Sequence, residues 1–468
     1  MHEDISFLTI RDLARRIRGR DISPVEVVRA YLERIEALNP RLNAIVTLNP
    51  EALAEAGRAE DRVVHGEPLG PLHGVPFTVK DCFDTAGVRT TRGSRLFTDY
   101  VPAADATAVA RLKRAGGVFL AKTNLPEFAF WWETDNLVFG RTVNPWNPAR
   151  TAGGSSGGEA VALATGLSPL GLGSDVGGSI RMPAHCCGVV GLKATHGRIP
   201  LTGHWPETLL RAMHVGPMAR AVGDLALALQ ILAGPDGHDP YALPVPAPEL
   251  PDPGPSLRGL RVGWSAEGGA APVEPVIRQV VSDAAACFAG LGCHVEPVSI
   301  PALDQRDWQV LSATLYAAEA GAYLEPIIAG RRGELHPVLQ RRLGVGSGSL
   351  GDYLRAHAEW EQLRREVAAY FSRYDLFLCP CVPVVAYPHG QVELTINGKV
   401  VPARHALRAT VPWDLTGSPA LAVPFGWSPD ELPVAVQLVG RHFDEATVLR
   451  AGAALEAVRP VARRPPVT

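Results

Sequence analysis

The chain predicts an α/β fold built around one large sheet. Short apolar, strand-like runs alternate with segments of helical periodicity along its whole length, and no internal repeat replaces that alternation. The composition is ordinary for a globular protein, with 468 residues of which 46% are hydrophobic and 20% charged. A chain of this size can bury a large core without disulfides or metal, although length alone would suggest about three domains.

The elements follow in order. Ser23-Pro24-Val25-Glu26 reads as a capping box with Pro at the first helical position. Val27, Val28, Tyr31, Leu32, Ile35 and Leu38 then recur at helical spacing up to Asn39-Pro40. Residues 43–48 read as a strand and 50–61 as a helix. Phe77 to Val79 is a short apolar strand with Lys80 at its end and Asp81 behind it, an unusual place for a lysine, which is seldom buried without a partner or a purpose. A helix over 105–115, a strand over 118–121 and the turn from Lys122 to Glu127 precede an aromatic cluster. That cluster, Phe128, Phe130, Trp131, Trp132 and Phe139, is expected in the core rather than in a ligand groove.

Further along, 170–173 and 189–193 read as strands and 223–232 as a helix ended by Gly234-Pro235. Residues 240–256 are proline-rich and read as an extended surface connection. Strand 260–264, helix 274–290 and strand 294–298 form a βαβ-like unit. Helical sequence dominates from Trp308 to Phe371. Strands are expected at 376–379, 420–424 and 434–439, and a closing helix at 443–456.

Composition also excludes functions. Lys and Arg number 45 against 48 Asp and Glu, a formal charge of −3, which gives no electrostatic basis for a nucleic-acid or anionic-membrane partner. Seven cysteines, two of them adjacent at Cys186-Cys187, suit reduced thiols and a cytoplasmic location better than a disulfide framework. Neither His185-Cys186-Cys187 nor Cys379-Pro380-Cys381 supplies two well-spaced ligand pairs, so no metal is expected. The N-terminal stretch carries Glu3 and Asp4 and does not read as a signal peptide. No run approaches the roughly 18 apolar residues of a membrane span.

The densest chemistry lies between Thr151 and Arg181, where two Gly-Ser clusters, Gly153 to Gly158 and Gly177-Gly178-Ser179, flank an apolar helical segment. Read blandly, these are surface turns. A Walker phosphate loop is excluded, because there is no Gly-Lys-Ser/Thr ending and no G-x-G-x-x-G spacing. Gly153-Gly154-Ser155-Ser156-Gly157 satisfies the G-x-S-x-G of a hydrolase nucleophile elbow, but that elbow needs a strand running into the serine. Here the preceding residues include Pro145 and Pro148, so an esterase using Ser155 stands as an alternative. A further reading has a strand at Leu170 to Gly173 delivering Ser174-Asp175 into the turn Val176-Gly177-Gly178-Ser179, with a helix starting near Ile180. Successive N–H groups in such a turn can hold an oxyanion beside Ser179. No histidine nearby offers an obvious base, whereas a lysine serves if burial or nearby positive charge lowers its pKa.

On these residues the chain resembles the amidase signature family, whose hallmark is a Ser-cisSer-Lys triad. The matching residues are Lys80 in Phe77-Thr78-Val79-Lys80-Asp81, Ser155 in Gly153 to Gly158, and Ser179 in Gly173 to Arg181. Ser23 to Glu26, Lys122-Thr123-Asn124 and the C-terminal blocks Leu415 to Ala420 and Leu432 to Gly440 look like further landmarks of the family. The resemblance implies a single domain over residues 1–468, with a mixed central sheet covered by helices on both faces. It implies hydrolysis of carboxylic acid amides without a cofactor. Lys80 draws a proton from Ser155, Ser155 draws one from the nucleophile Ser179, and the N–H groups of Val176, Gly177, Gly178 and Ser179 hold the oxyanion. It also implies a cis Gly154–Ser155 peptide, supporting roles for Ser156 and Arg181, and a substrate-lining Ala129. Asp175 is read as orienting the turn without a catalytic role.

The family also contains the amidase component of the glutamyl-tRNA amidotransferase, which feeds ammonia to a partner and is the second alternative. That branch typically has Gln at Met182 and a small residue at Glu159, so the chain looks closer to free-standing amidases, including those similar to fatty acid amide hydrolases. Asp414 stands where Asn is common. The expected partner is a small-molecule amide, with a homo-oligomer possible. The aromatic segment from Pro126 to Trp132 suits an apolar or aryl acyl group.

Overall fold

Local signals near the N-terminus act as their chemistry requires. In the computed structural model, which describes residues 4–248, 256–344, 348–459 and 463–467, the helix Pro24–Leu42 opens on a full capping box. Ser23 Oγ accepts from the N–H of Val25 at 3.0 Å and of Glu26 at 3.1 Å, and Glu26 accepts from Ser23 N–H at 2.8 Å. Val27, Val28, Tyr31, Ile35 and Leu38 are buried on one face, as their spacing predicts.

Thirteen strands are described: β1 Ile45–Leu48, β2 Pro76–Lys80, β3 Val118–Thr123, β4 Leu170–Asp175, β5 Val190–Lys193, β6 His214–Ala219, β7 Arg261–Trp264, β8 His294–Pro297, β9 Leu376–Pro380, β10 Glu393–Ile396, β11 Lys399–Pro402, β12 Ala420–Trp427 and β13 Pro433–Gly440. Eleven form one sheet in the order β1-β3-β2-β4-β6-β5-β12-β13-β9-β7-β8, and β10–β11 make a separate hairpin. The sheet is mixed. β3, β2 and β4 run parallel, as do β9, β7 and β8, while the strands from β4 through β9 pair antiparallel.

Helices cover both faces, and strand alternation shows how. Leu421 of β12 packs against Gly452 in the helix Glu445–Val458. Its neighbour Ala422 pairs with Gly191 of β5, which meets Ile180 and Ala184 at the helix Arg181–Cys187. Successive residues of a strand point to opposite faces, so the two helices lie on opposite sides of one sheet. The predicted βαβ unit is present as β7, the helix Pro275–Gly290 and β8, with Arg261 opposite His294 in parallel register.

Two elements go beyond the sequence reading. β6 contains Gly216-Pro217, which argues against a central strand, yet it lies between β4 and β5. The β5 ladder reaches only Ala219 and Met218, so Pro217 and its missing N–H lie outside that ladder. The β10–β11 hairpin turns at Asn397-Gly398, both at positive φ (53° and 76°), the Asn-Gly signature of a tight hairpin. The proline-rich connection has no regular element at 242–248, and its residues 249–255 lie outside the described residues. Among the described residues no helix is long and apolar enough to cross a membrane.

Replacing Ser23 with Ala removes the acceptor for two helix N–H groups and should cost about 1 kcal/mol. Urea denaturation should show an earlier transition; an unchanged midpoint would mean the cap adds nothing.

Candidate active site

The parallel strands β2 and β4 end side by side, which brings Lys80 at the end of β2 against Ser174 near the end of β4. The first Gly-Ser cluster closes over them. Gly154 backs onto the main chain of Trp131 to Glu133, leaving no room there for a Cβ, and the Gly154–Ser155 peptide is cis. Thr134 ties the cluster down, its hydroxyl donating to Gly153 carbonyl at 2.9 Å. Among the described residues no strand runs into Ser155, and the segment before it holds an isolated bridge between Val143 and Thr151 in place of one. The context that a nucleophile elbow requires is missing.

Lys80 is fully buried. Its Nζ lies 2.7 Å from Ser155 Oγ, 3.1 Å from Ser174 Oγ and 3.4 Å from Ser174 carbonyl. Among the described residues it forms no ion pair, and burial pushes its pKa down against weaker opposing effects of Cys82, Asp175 and Glu159. A neutral amine fits these partners, with two N–H donors for Ser174 and a lone pair for the Ser155 hydroxyl. Glu159 is itself pushed up to about 8 by burial, with the hydroxyls of Thr78 (2.6 Å) and Thr123 (2.9 Å) opposing the shift. At neutral pH it therefore adds little negative charge that would hold a proton on Lys80.

The neighbouring strand supplies a contrast. Lys122 of β3 is equally buried, but Asp81 lies 3.8 Å away, and its Nζ is held by Thr85 Oγ1 at 3.1 Å and by Phe83 carbonyl. Two adjacent buried lysines thus differ in kind. Lys122 has a carboxylate partner, whereas Lys80 faces hydroxyls.

The second cluster is a turn organised by Asp175. This carboxylate accepts from the N–H groups of Gly178, Ile180 (3.1 Å) and Arg181 (3.4 Å), and from the Arg181 guanidinium at 2.9 and 3.0 Å. Burial would raise its pKa, but Arg181 outweighs burial and holds it well below the carboxylate range. Arg181, also fully buried, reaches Asp414 at 2.8 Å, Gln437 at 2.8 Å and Thr410 carbonyl at 3.0 Å. Burial and the Asp175 charge push Asp414 up, so the ionised pair is Asp175 with Arg181. Asp175 orients the turn, as expected. Ser156 links the two clusters by donating its N–H to Ser179 carbonyl at 3.1 Å, and its hydroxyl reaches Ser174 carbonyl at 3.4 Å.

This geometry revises the expected set of oxyanion donors. Gly178 N–H is committed to Asp175, and Gly178 does not line the cavity. Its contribution is conformational: φ is +120°, and a Cβ would lie 2.4 Å from Thr410 Oγ1. Among the described residues no group accepts from the N–H of Val176, Gly177 or Ser179, and these three residues line the cavity with Ser155 and Ala129. Ser179 is half-buried.

That cavity, about 60 Å³, opens into a larger apolar one of about 260 Å³, and both are lined by Phe130, Trp131, Trp132, Tyr316, Arg342 and Leu407. The aromatic cluster therefore divides. Phe128 is buried against Trp205, whereas Phe130, Trp131 and Trp132 form cavity wall rather than core, with Arg342 over both indoles. Sequence reasoning gave no role to Ser174, Thr410, Gln437, Tyr316 or Arg342. Ser174 lies within the Gly-Ser stretch, and its signal was its place one turn ahead of the glycines. Among the described residues no group of three or more His, Cys, Asp or Glu side chains is arranged to hold a metal ion.

The chain matches the Amidase family profile over residues 26–449. It is 37% identical to the A component of the glutamyl-tRNA(Gln) amidotransferase of Moorella thermoacetica, covering 99% of each chain. It is 36% identical to an acylamidase of Rhodococcus erythropolis, covering 99% of this chain and 98% of that one. A bacterial aryl acylamidase of the amidase signature family superposes with a TM-score of 0.90 at 29% identity, covering 99% of both chains. Identities of 37% and 36% do not separate the amidotransferase branch from the free-standing amidases.

Arg181→Ala would leave Asp175 buried without its counter-charge and should cost about 3–5 kcal/mol. A thermal or urea transition within error of wild type would contradict the hub assigned to Arg181.

Proposed function

The chain belongs to the amidase signature family, and from that premise we propose that it hydrolyses carboxylic acid amides through an acyl-enzyme on Ser179. One observation carries the reading: a buried lysine amine with no carboxylate partner among the described residues, 2.7 Å from Ser155 Oγ, beside a cavity that Ser155 and Ser179 both line. Neutral Lys80 accepts the Ser155 proton as Ser155 accepts that of Ser179. Ser179 Oγ attacks the amide carbon, and the N–H groups of Gly177 and Ser179, with Val176 alongside, receive the oxyanion. Collapse breaks the C–N bond, and Ser155 delivers its proton to the leaving nitrogen while taking one back from the Lys80 ammonium. Water then attacks the acyl-enzyme through the same relay in reverse, releasing the acid and restoring Ser179.

The apolar cavity favours an apolar or aryl acyl group. A second reading, the glutaminase component of an amidotransferase, is favoured by the 37% identical relative; Glu159 and Met182 depart from that branch. A panel of acetamide, long-chain amides, aryl anilides and glutamine separates the two. Turnover of anilides over acetamide and glutamine is expected. A preference for acetamide would overturn the acyl assignment, and activity on glutamine alone would favour the second reading.

Ser179→Ala and Lys80→Ala should each lower kcat by at least about 10³-fold, the scale of losing a member of a nucleophile–base unit. Because burial lowers the Lys80 pKa, its neutral form dominates above a pH below the ordinary lysine value of about 10.4. kcat/KM should therefore rise from acid toward alkaline pH and level off before that value. An acid optimum would contradict a lysine base.

A further inference from the structure

The three carbonyls of the turn ahead of Ser179 are each held. Val176 carbonyl accepts from the Tyr316 hydroxyl, Gly177 carbonyl from the Thr410 hydroxyl at 2.7 Å, and Gly178 carbonyl from Met182 N–H at 2.7 Å. In a trans peptide the N–H points opposite the C=O of the same plane. Holding Val176 carbonyl therefore fixes the direction of Gly177 N–H, and holding Gly178 carbonyl fixes that of Ser179 N–H. These are two of the three turn N–H groups left without an acceptor among the described residues. The anchors differ in origin. Met182 belongs to the helix that follows the turn, and Thr410 precedes the buried helix Val411–Thr416. Tyr316 comes from the helix Trp308–Ile328, which also supplies Ser312, Ala313, Ala317 and Ala320 to the cavity wall.

We propose that Tyr316 is a positioning residue for the oxyanion site, its hydroxyl holding the Val176–Gly177 peptide so that Gly177 N–H meets the developing negative charge. This rests on the reading of Ser179 as the nucleophile. Burial keeps the phenol well above its ordinary pKa, with the Asp175 charge reinforcing the shift, so the hydroxyl remains a donor through the alkaline range in which the enzyme should work. Tyr316 also lines both cavities. One side chain thus forms part of the wall beside the acyl group and sets the donor for the oxygen on the same carbonyl.

Tyr316→Phe keeps the ring and removes the hydroxyl. For an anilide substrate, kcat should fall by about 10-fold or more, less than the 10²–10³ lost with an outright oxyanion donor, while KM changes little. Inhibition by phenylboronic acid, whose tetrahedral serine adduct places an oxygen in the oxyanion position, should weaken by the same factor. An unchanged kcat, or a loss confined to KM with boronate affinity intact, would reduce Tyr316 to cavity lining and overturn the proposal. A structure of the wild-type boronate adduct tests the same point if the variant does not fold. The adduct oxygen should lie about 3 Å from Gly177 N with Tyr316 still on Val176 carbonyl; an oxygen held elsewhere would overturn it. Full activity in Ser179→Ala would instead remove the underlying reading, so the two failures are distinct.

Discussion

A lysine ammonium removed from water needs a partner, and among the described residues Lys80 has only hydroxyls and a carbonyl. Desolvation disfavours the charged form, and without a carboxylate in contact little offsets it. The rest of the site follows from that imbalance. The clamp from Thr134 holds the cluster that carries Ser155, whose Oγ lies 2.7 Å from the amine. Glu159, close enough to act on Lys80, is buried between two threonine hydroxyls and pushed up to about 8. Lys122 in the same sheet is equally buried and burial pushes its pKa down too, but there Asp81 at 3.8 Å opposes the shift.

The turn at 176–179 solves the opposite problem, holding charge in place rather than removing it. Arg181 and Asp175 form an ionised pair with their remaining hydrogen-bonding capacity spent on Asp414, Gln437, Thr410 and the turn itself. Buried pairs of this kind add little net stability but are costly to break, which suits a scaffold whose task is to fix backbone direction. Its net effect is to turn carbonyls away and leave selected N–H groups beside Ser179 without acceptors among the described residues. The C-terminal blocks gain their meaning here, since Asp414 and Gln437 approach Arg181 from 233 and 256 residues away.

Legibility in the sequence followed the range of the interaction. The capping box, the βαβ unit and the lysine ending an apolar strand are local patterns, and each appears where its chemistry predicted. β6 was hidden because Gly216-Pro217 argues against a strand, and only tertiary pairing with β4 and β5 overrides that preference. The hairpin at Asn397-Gly398 carries its signal openly in the Asn-Gly pair. Phe130, Trp131 and Trp132 line the cavity and not the core in which composition places them, because aromatics serve both and local sequence does not separate the two. The commitment of Gly178 N–H to Asp175, only three residues away, depends on turn geometry that residue identities do not specify. Tyr316 and Thr410 reach the turn from 140 and 233 residues away, beyond any local pattern.

The central claim is that a neutral, buried Lys80 activates Ser179 through Ser155. Its most direct test is the rate of labelling by a fluorophosphonate as a function of pH, with the adduct located by peptide mass spectrometry. An adduct on Ser179 is expected, its rate of formation rising with pH in the wild type and collapsing in Lys80→Ala. An adduct on Ser155, or a rate on Ser179 that does not respond to loss of Lys80, would contradict the claim.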